Sequence, residues 1–316
     1  MRRIATFAAL GTLVIVVASA FLRLSVPHQD CAQWPACYGT VTQSIDGTEP
    51  SAARRAARLA HRIAATAVAA AILALGVLCF TQRPRSRPDR ILAVALVALT
   101  AFLAVLGRWT PTGALLPAVT VGNLAGGFGL LILLWWVRLR HSEVSPDPPA
   151  PTSHRLAVVA VVLVGATALA GALVSANYAA LSCTTLPDCN GGWWPAPALA
   201  AFDVFRPLAV DDVQRVQRAE YAPFLHMLHR YLAAAAALAA AALGAWLIAG
   251  VQRRRGLGVW VLVLLALQIG LGVAAITLSL PLPVVVLHNG IGALLLLAVV
   301  TAVHQLAAQP AGRWRR

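Results

Sequence analysis

The chain has 316 residues, of which 59% are hydrophobic and 11% charged, with a mean hydropathy of +0.76. So little polar surface cannot cover so large an apolar remainder, which excludes a water-soluble domain. A net charge of +14 would suit nucleic acid if it were spread over one face, but the basic residues, all of them Arg, gather in short loops between apolar runs, which excludes that class as well.

Eight runs are long and apolar enough to span a bilayer: 4–22, 59–80, 91–106, 119–136, 156–176, 224–249, 259–278 and 284–306. Helices satisfy their own backbone groups in lipid, and no alternating strand pattern is present, so the expected fold is an all-α membrane protein. The first run follows Arg2 and Arg3 and has the look of a signal peptide. It is read here as a retained helix, because the repeat described below needs it. Arg83, Arg85, Arg87, Arg90, Arg138, Arg140, Arg253, Arg254, Arg255, Arg313, Arg315 and Arg316 share the side of the termini. By the positive-inside rule, both termini are expected in the cytoplasm. Most acids, among them Asp30, Asp46, Glu49, Asp188, Asp211 and Asp212, fall in the opposite, outer loops.

The segment 141–154, H-S-E-V-S-P-D-P-P-A-P-T-S-H, is polar and Pro-rich and reads as a cytoplasmic linker. It divides an N-terminal four-helix half, 1–140, from a C-terminal one, 155–316. The halves repeat one pattern. C-A-Q-W-P-A-C from Cys31 matches C-T-T-L-P-D-C from Cys183, and each is followed by a span carrying His-Arg, at His61-Arg62 and at His229-Arg230. Gly127 pairs with Gly292, and His288 of the last span pairs with Asn123. Units with an even number of helices repeat in parallel. The expectation is therefore two four-helix bundles related by a pseudo-twofold axis along the membrane normal.

Histidines at equal depth on facing helices suit the two axial positions of a haem iron, and an ionisable group inside a membrane is costly enough to imply a purpose. Hydrogen bonding between helices is the alternative. His226, one turn before His229, lies on the same face and could serve as a supporting or substitute ligand. No role attaches to His28, His141, His154 or His304. Arg62 and Arg230 could contact haem propionates or snorkel to lipid headgroups. Cys31–Cys37 and Cys183–Cys189 read most simply as two intraloop disulfides, with a metal site and a redox relay as the alternatives. Cys79, inside a span, reads as a packing residue.

Four stretches carry a resemblance: R-L-S-V-P-H-Q-D-C-A-Q-W-P-A-C-Y-G from Arg23, W-T-P-T-G-A-L-L-P-A-V-T-V from Trp109, N-Y-A-A-L-S-C-T-T-L-P-D-C-N-G from Asn177 and L-P-L-P-V-V-V-L-H-N-G from Leu280. Through both halves the chain resembles the haem A synthase family, membrane enzymes that oxidise a methyl group of haem O to a formyl group for cytochrome oxidase. The resemblance implies haem b held between His229 and His288, with haem O as substrate at the His61 site. Two positions depart from the family: Asn123 stands where the second N-terminal ligand would be, and Arg58 where a Glu precedes the first by one turn. The resemblance implies a bacterial cytoplasmic-membrane protein whose surroundings are the lipid bilayer, haem, a haem O synthase and a terminal oxidase, and it leaves room for a homo-oligomer. Loss of chemistry at the first site would leave a non-catalytic haem-b-binding assembly protein. A transmembrane electron-transfer cytochrome is a third, weaker reading.

Overall fold

The computed structural model describes residues 1–25, 38–39, 51–81, 86–109, 115–142, 151–212, 215–250 and 254–307. Eight helices dominate them: α1 (Arg2–Leu24), α2 (Ala52–Thr81), α3 (Arg87–Trp109), α4 (Pro117–Arg140), α5 (Pro151–Ala176), α6 (Ala222–Ala249), α7 (Arg255–Thr277) and α8 (Leu282–Leu306). All eight are long and apolar enough to cross a membrane. At about 1.5 Å per residue, the shortest outreaches the roughly 30 Å of hydrocarbon in a bilayer. Among the described residues there is no sheet, only isolated bridges joining Cys189 to Gly192 and Val210 to Val216. This is an integral membrane protein of all-α class.

Local chemistry explains the helices. Pro117 begins α4, and Pro223 and Pro283 stand in the first turns of α6 and α8, where proline's missing N–H removes a donor that has no helical partner anyway. Threonines inside the spans turn their hydroxyls back to the carbonyl four residues earlier. Thr12 reaches Ala8 at 2.8 Å, Thr100 reaches Leu96 at 2.7 Å and Thr167 reaches Leu163 at 2.8 Å. No polar atom of these side chains then needs water.

Helix packing follows the same plan on both sides of the linker. In the first half, α1 packs on α2 and α4, and α3 on α2 and α4. In the second, α5 packs on α6 and α8, and α7 on α6 and α8. One core gathers α1 to α4 around Ile72, Leu75, Leu96, Leu131 and Leu134. The other gathers α5 to α8 around Leu243, Leu247, Val261, Leu296 and Val299. Helices α1, α4, α5 and α8 join the halves. There the Trp135 indole donates to Thr301 Oγ1 at 2.8 Å, and the Asn289 amide reaches the Val16 carbonyl at 3.4 Å.

The two ends of the bundle differ. At the end carrying the termini, Arg140 pairs with Asp89 at 3.0 Å, tying α4 to α3. At the other end, the segment between α5 and α6 crosses to the first half. Ala118 N–H donates to the Val204 carbonyl at 2.8 Å, Leu208 N–H to Leu115 at 2.8 Å and Val216 N–H to Gly39 at 2.9 Å. A strap from the second half thus lies over the end of the first that is opposite the termini. Tyr38 and Tyr178 meet beneath it, ring centres 5.6 Å apart. Burial pushes both phenols above their ordinary range, which keeps them neutral.

Candidate functional site

His229 stands two turns into α6 and His288 near the start of α8, and the fold brings them together. Their ring centres lie 6.5 Å apart and the planes are inclined by 72°. Two imidazoles sharing one iron, with metal–nitrogen bonds of about 2 Å, hold their ring centres roughly 6 to 6.5 Å apart. The observed separation meets that requirement.

Each ring has one nitrogen held and one left over. His229 Nδ1 lies 3.0 Å from the Thr167 carbonyl of α5, so the ring donates there and its Nε2 lone pair is left. His288 Nε2 lies 3.1 Å from the Gln268 side-chain amide of α7, and its Nδ1 is buried without a partner. Glycines make the room. A Cβ on Gly171 would sit 3.1 Å from His229 Cε1, and one on Gly272 would sit 3.3 Å from His288 Cε1. A larger residue at either place would push on a ring. An imidazole fixed through one nitrogen while the other faces outward is how proteins present histidine to a metal. The donor pair and its spacing therefore suit a haem between α6 and α8, with His229 presenting Nε2 and His288 turning its Nε2 to Gln268. Among the described residues no three His, Cys, Asp or Glu side chains converge.

The other candidates sort differently. His226 is buried under the turn at Ser182, whose Oγ is 3.5 Å from its Nδ1. It belongs to the junction between the α5–α6 segment and α6. Cys183 and Cys189 form a disulfide. Around it, Arg230 directs its guanidinium to backbone carbonyls: Thr185 at 2.8 Å, Asp188 at 2.6 Å, Pro187 at 3.4 Å and Cys183 at 3.1 Å. Arg230 is thus a clasp for the disulfide loop. Cys31 and Cys37, with most of the first outer loop, lie outside the described residues, as does most of the 141–154 linker. Cys79 is buried beside Leu75, Ala93, Leu96 and Val137, with Asp89 and His141 lining the same small cavity.

In the first half, His61 is partly buried on α2, flanked by Leu59 and Ile63, each about 60% exposed. Arg58 and Arg62 are exposed. Arg54 instead turns back to the end of α1, donating to the Leu22 carbonyl at 2.9 Å and to Ser25 Oγ at 2.6 Å. The helix before Asn123 is filled by leucine and phenylalanine: a Cβ on Gly122 would strike Leu106 at 2.7 Å and come within 3.7 Å of Phe102. Sequence reasoning missed Thr167 and Gln268. Thr167 acts through its backbone, which leaves no mark on residue type. Gln268 did leave one, as an isolated amide in an apolar helix.

The chain matches the family described as cytochrome oxidase assembly protein over residues 2–300. It is 32% identical over 213 residues to a protein named heme A synthase from Shewanella oneidensis, covering 62% of this chain and 62% of that one. It is 26% identical over 197 residues to a protein of the same name from Alkalihalophilus pseudofirmus, covering 59% of this chain and 63% of that one. The chain therefore spans a little under two thirds of the length of these relatives.

Proposed function

This chain belongs to the haem A synthase family of cytochrome oxidase assembly proteins, and we propose that it is a haem A synthase-type oxidoreductase that binds haem b between His229 and His288. The observation that carries the reading is the 6.5 Å separation of two rings, each already held by a second helix. When bound, the haem would supply electron transfer for the oxidation of a methyl group of haem O to a formyl group.

The residues have distinct tasks in this reading. His229 and His288 bind, and Thr167 fixes the tautomer and rotation of His229. The disulfide loop, clasped by Arg230, covers the outer approach to α6 and limits water there. The substrate haem O takes the first half, with His61 as its single imidazole and Arg62 as a cation for a propionate. The helix pairings shared by the two sides of the linker support reading 1–140 and 155–316 as a repeated unit with a pseudo-twofold axis. The charge distribution supports a bacterial cytoplasmic-membrane protein with cytoplasmic termini, cysteine loops outside and a haem O synthase and terminal oxidase as neighbours.

Asn123 and Arg58 favour a second reading. Amide oxygen is a weak iron ligand, and a guanidinium where the family carries a carboxylate reverses the charge available for proton transfer. A chain that had lost oxidation at the first site would be a haem-b-binding assembly protein. Haem extracted from cells supplied with haem O and lacking any other source of haem A decides between them. Haem A in the extract establishes the enzyme, whereas haem B with unreacted haem O establishes the binding protein.

A further inference from the structure

We propose that the segment between α5 and α6 is a membrane-seated collar. Trp193, Trp194, Leu199, Phe202 and Phe205 enter the boundary between headgroups and hydrocarbon in the leaflet opposite the termini, and their partner is the phospholipid there. The inference is independent of the haem reading above.

This segment turns its large apolar side chains outward. Trp194 is 82% exposed and Leu199 90%, and Trp193, Phe202 and Phe205 are exposed with them. So many apolar groups facing out of one segment mark a surface made to be covered. They are also held in place. Just beyond the disulfide, Cys189 and Gly192 exchange backbone hydrogen bonds of 2.8 and 3.0 Å, which sets the direction in which the chain delivers the two tryptophans. The Tyr231 hydroxyl of α6 donates to the Trp193 carbonyl, and the Trp194 ring stacks on that of Tyr231, centres 4.8 Å apart. Leu199 and Phe202 open and close a 3₁₀ turn, so their side chains leave on the same side. Phe202 meets Phe224 of α6 edge to face, ring centres 6.0 Å apart.

The face of α6 beneath the collar says what covers it. Phe224, Tyr231 and Leu238 recur at intervals close to two helical turns, so they share one face. Leu238, near mid-span, is 75% exposed and therefore faces lipid. Phe202 and Trp194 thus pack on the continuation of a lipid-facing stripe. The depth agrees. Arg254 donates to the Gln305 carbonyl near the end of α8, which places the Ala249 end of α6 on the side of the termini. From Ala249 back to Tyr231, at about 1.5 Å per residue, α6 rises roughly 27 Å, against roughly 30 Å of hydrocarbon. Tyr231 and the tryptophan stacked on it fall at the opposite boundary. Trp and Tyr, apolar in body and polar at one edge, are favoured at that level. Continuity with the lipid-facing stripe, together with this depth, selects phospholipid over a second protein. The collar then anchors the strap that crosses to Leu115, Ala118 and Gly39.

The test uses the full chain in phosphatidylcholine vesicles and reads tryptophan fluorescence. Subtracting the emission of a Trp193→Phe, Trp194→Phe double variant from that of the wild type isolates the collar. Phosphatidylcholine brominated near the headgroup end of its acyl chains is expected to remove most of this emission, whereas bromination near the chain ends, or iodide in the water, removes little. Leu199→Trp adds a second probe at an exposed position. It is expected to show the same pattern, and it carries the test should the double variant fail to fold. Emission quenched by iodide and untouched by brominated lipid overturns the proposal, because the collar then stands in water. Emission that neither quencher reaches overturns it as well, because protein then covers the collar.

Discussion

The two halves share a helix plan and differ in how their histidines are kept. In the second half, His229 and His288 face each other 6.5 Å apart, and each ring is bonded to a further helix. Beside them, a disulfide loop is drawn onto α6 by Arg230. In the first half, His61 has no hydrogen bond among the described residues, and Arg58 and Arg62 around it are exposed. The contrast teaches that a ligand position is sustained by its surroundings. At Asn123, the position paired with His288, the neighbouring helix presents Leu103 and Leu106 against Gly126 and Gly122.

The sharpest way to break this comparison is to remove one ligand from each half. His229→Ala is expected to abolish the bound haem b spectrum, while His61→Ala leaves it intact. Equal loss from both, read as haem per protein and as the reduced-minus-oxidised spectrum, would mean that the halves do not differ as described. Next in size is repair of the first half. Asn123→His combined with Arg58→Glu should raise bound haem from about one towards two per chain, because both axial imidazoles are then present, and should increase haem A formation in cells supplied with haem O. Unchanged haem content and product would show that the lost surroundings, and not these two residues, limit the site. Cys183→Ser opens the disulfide loop and frees Arg230. Closing so short a loop contributes about 2–3 kcal/mol, so thermal unfolding should move down while α1 to α4 keep their protease resistance. The smallest effect belongs to the seam. Trp135→Phe removes one hydrogen bond to Thr301, about 1 kcal/mol, and a denaturation midpoint measured with haem bound should fall slightly without any spectral change.

Much of the fold was legible because lipid allows few solutions. The apolar runs at 4–22, 119–136 and 284–306 fall inside α1, α4 and α8. The run at 59–80 missed the first two turns of α2, since hydropathy marks the hydrocarbon-spanning part only. Ala and Arg are both strong helix formers and carry the helix back to Ala52. The expected linker at 141–154 lost its last residues to α5 for a similar reason. Of the candidate site, residue type gave the ligands but not their holders. His229 and His288 are conspicuous in apolar helices, whereas the carbonyl that fixes His229 could have come from any residue at 167. Arg230 was legible as a cation near the outer boundary and not as a clasp, because its partners are main-chain oxygens.

The strap across the loop end has a consequence for the order in which the protein is made. Val204, Leu208 and Val216 close over Ala118, Leu115 and Gly39, yet they are translated only after all four helices of the first half have left the ribosome. At about 5–20 residues per second, that half waits several seconds before the strap reaches it, so the order of synthesis sets the order of assembly: these three backbone hydrogen bonds between the halves close after the first four helices are made.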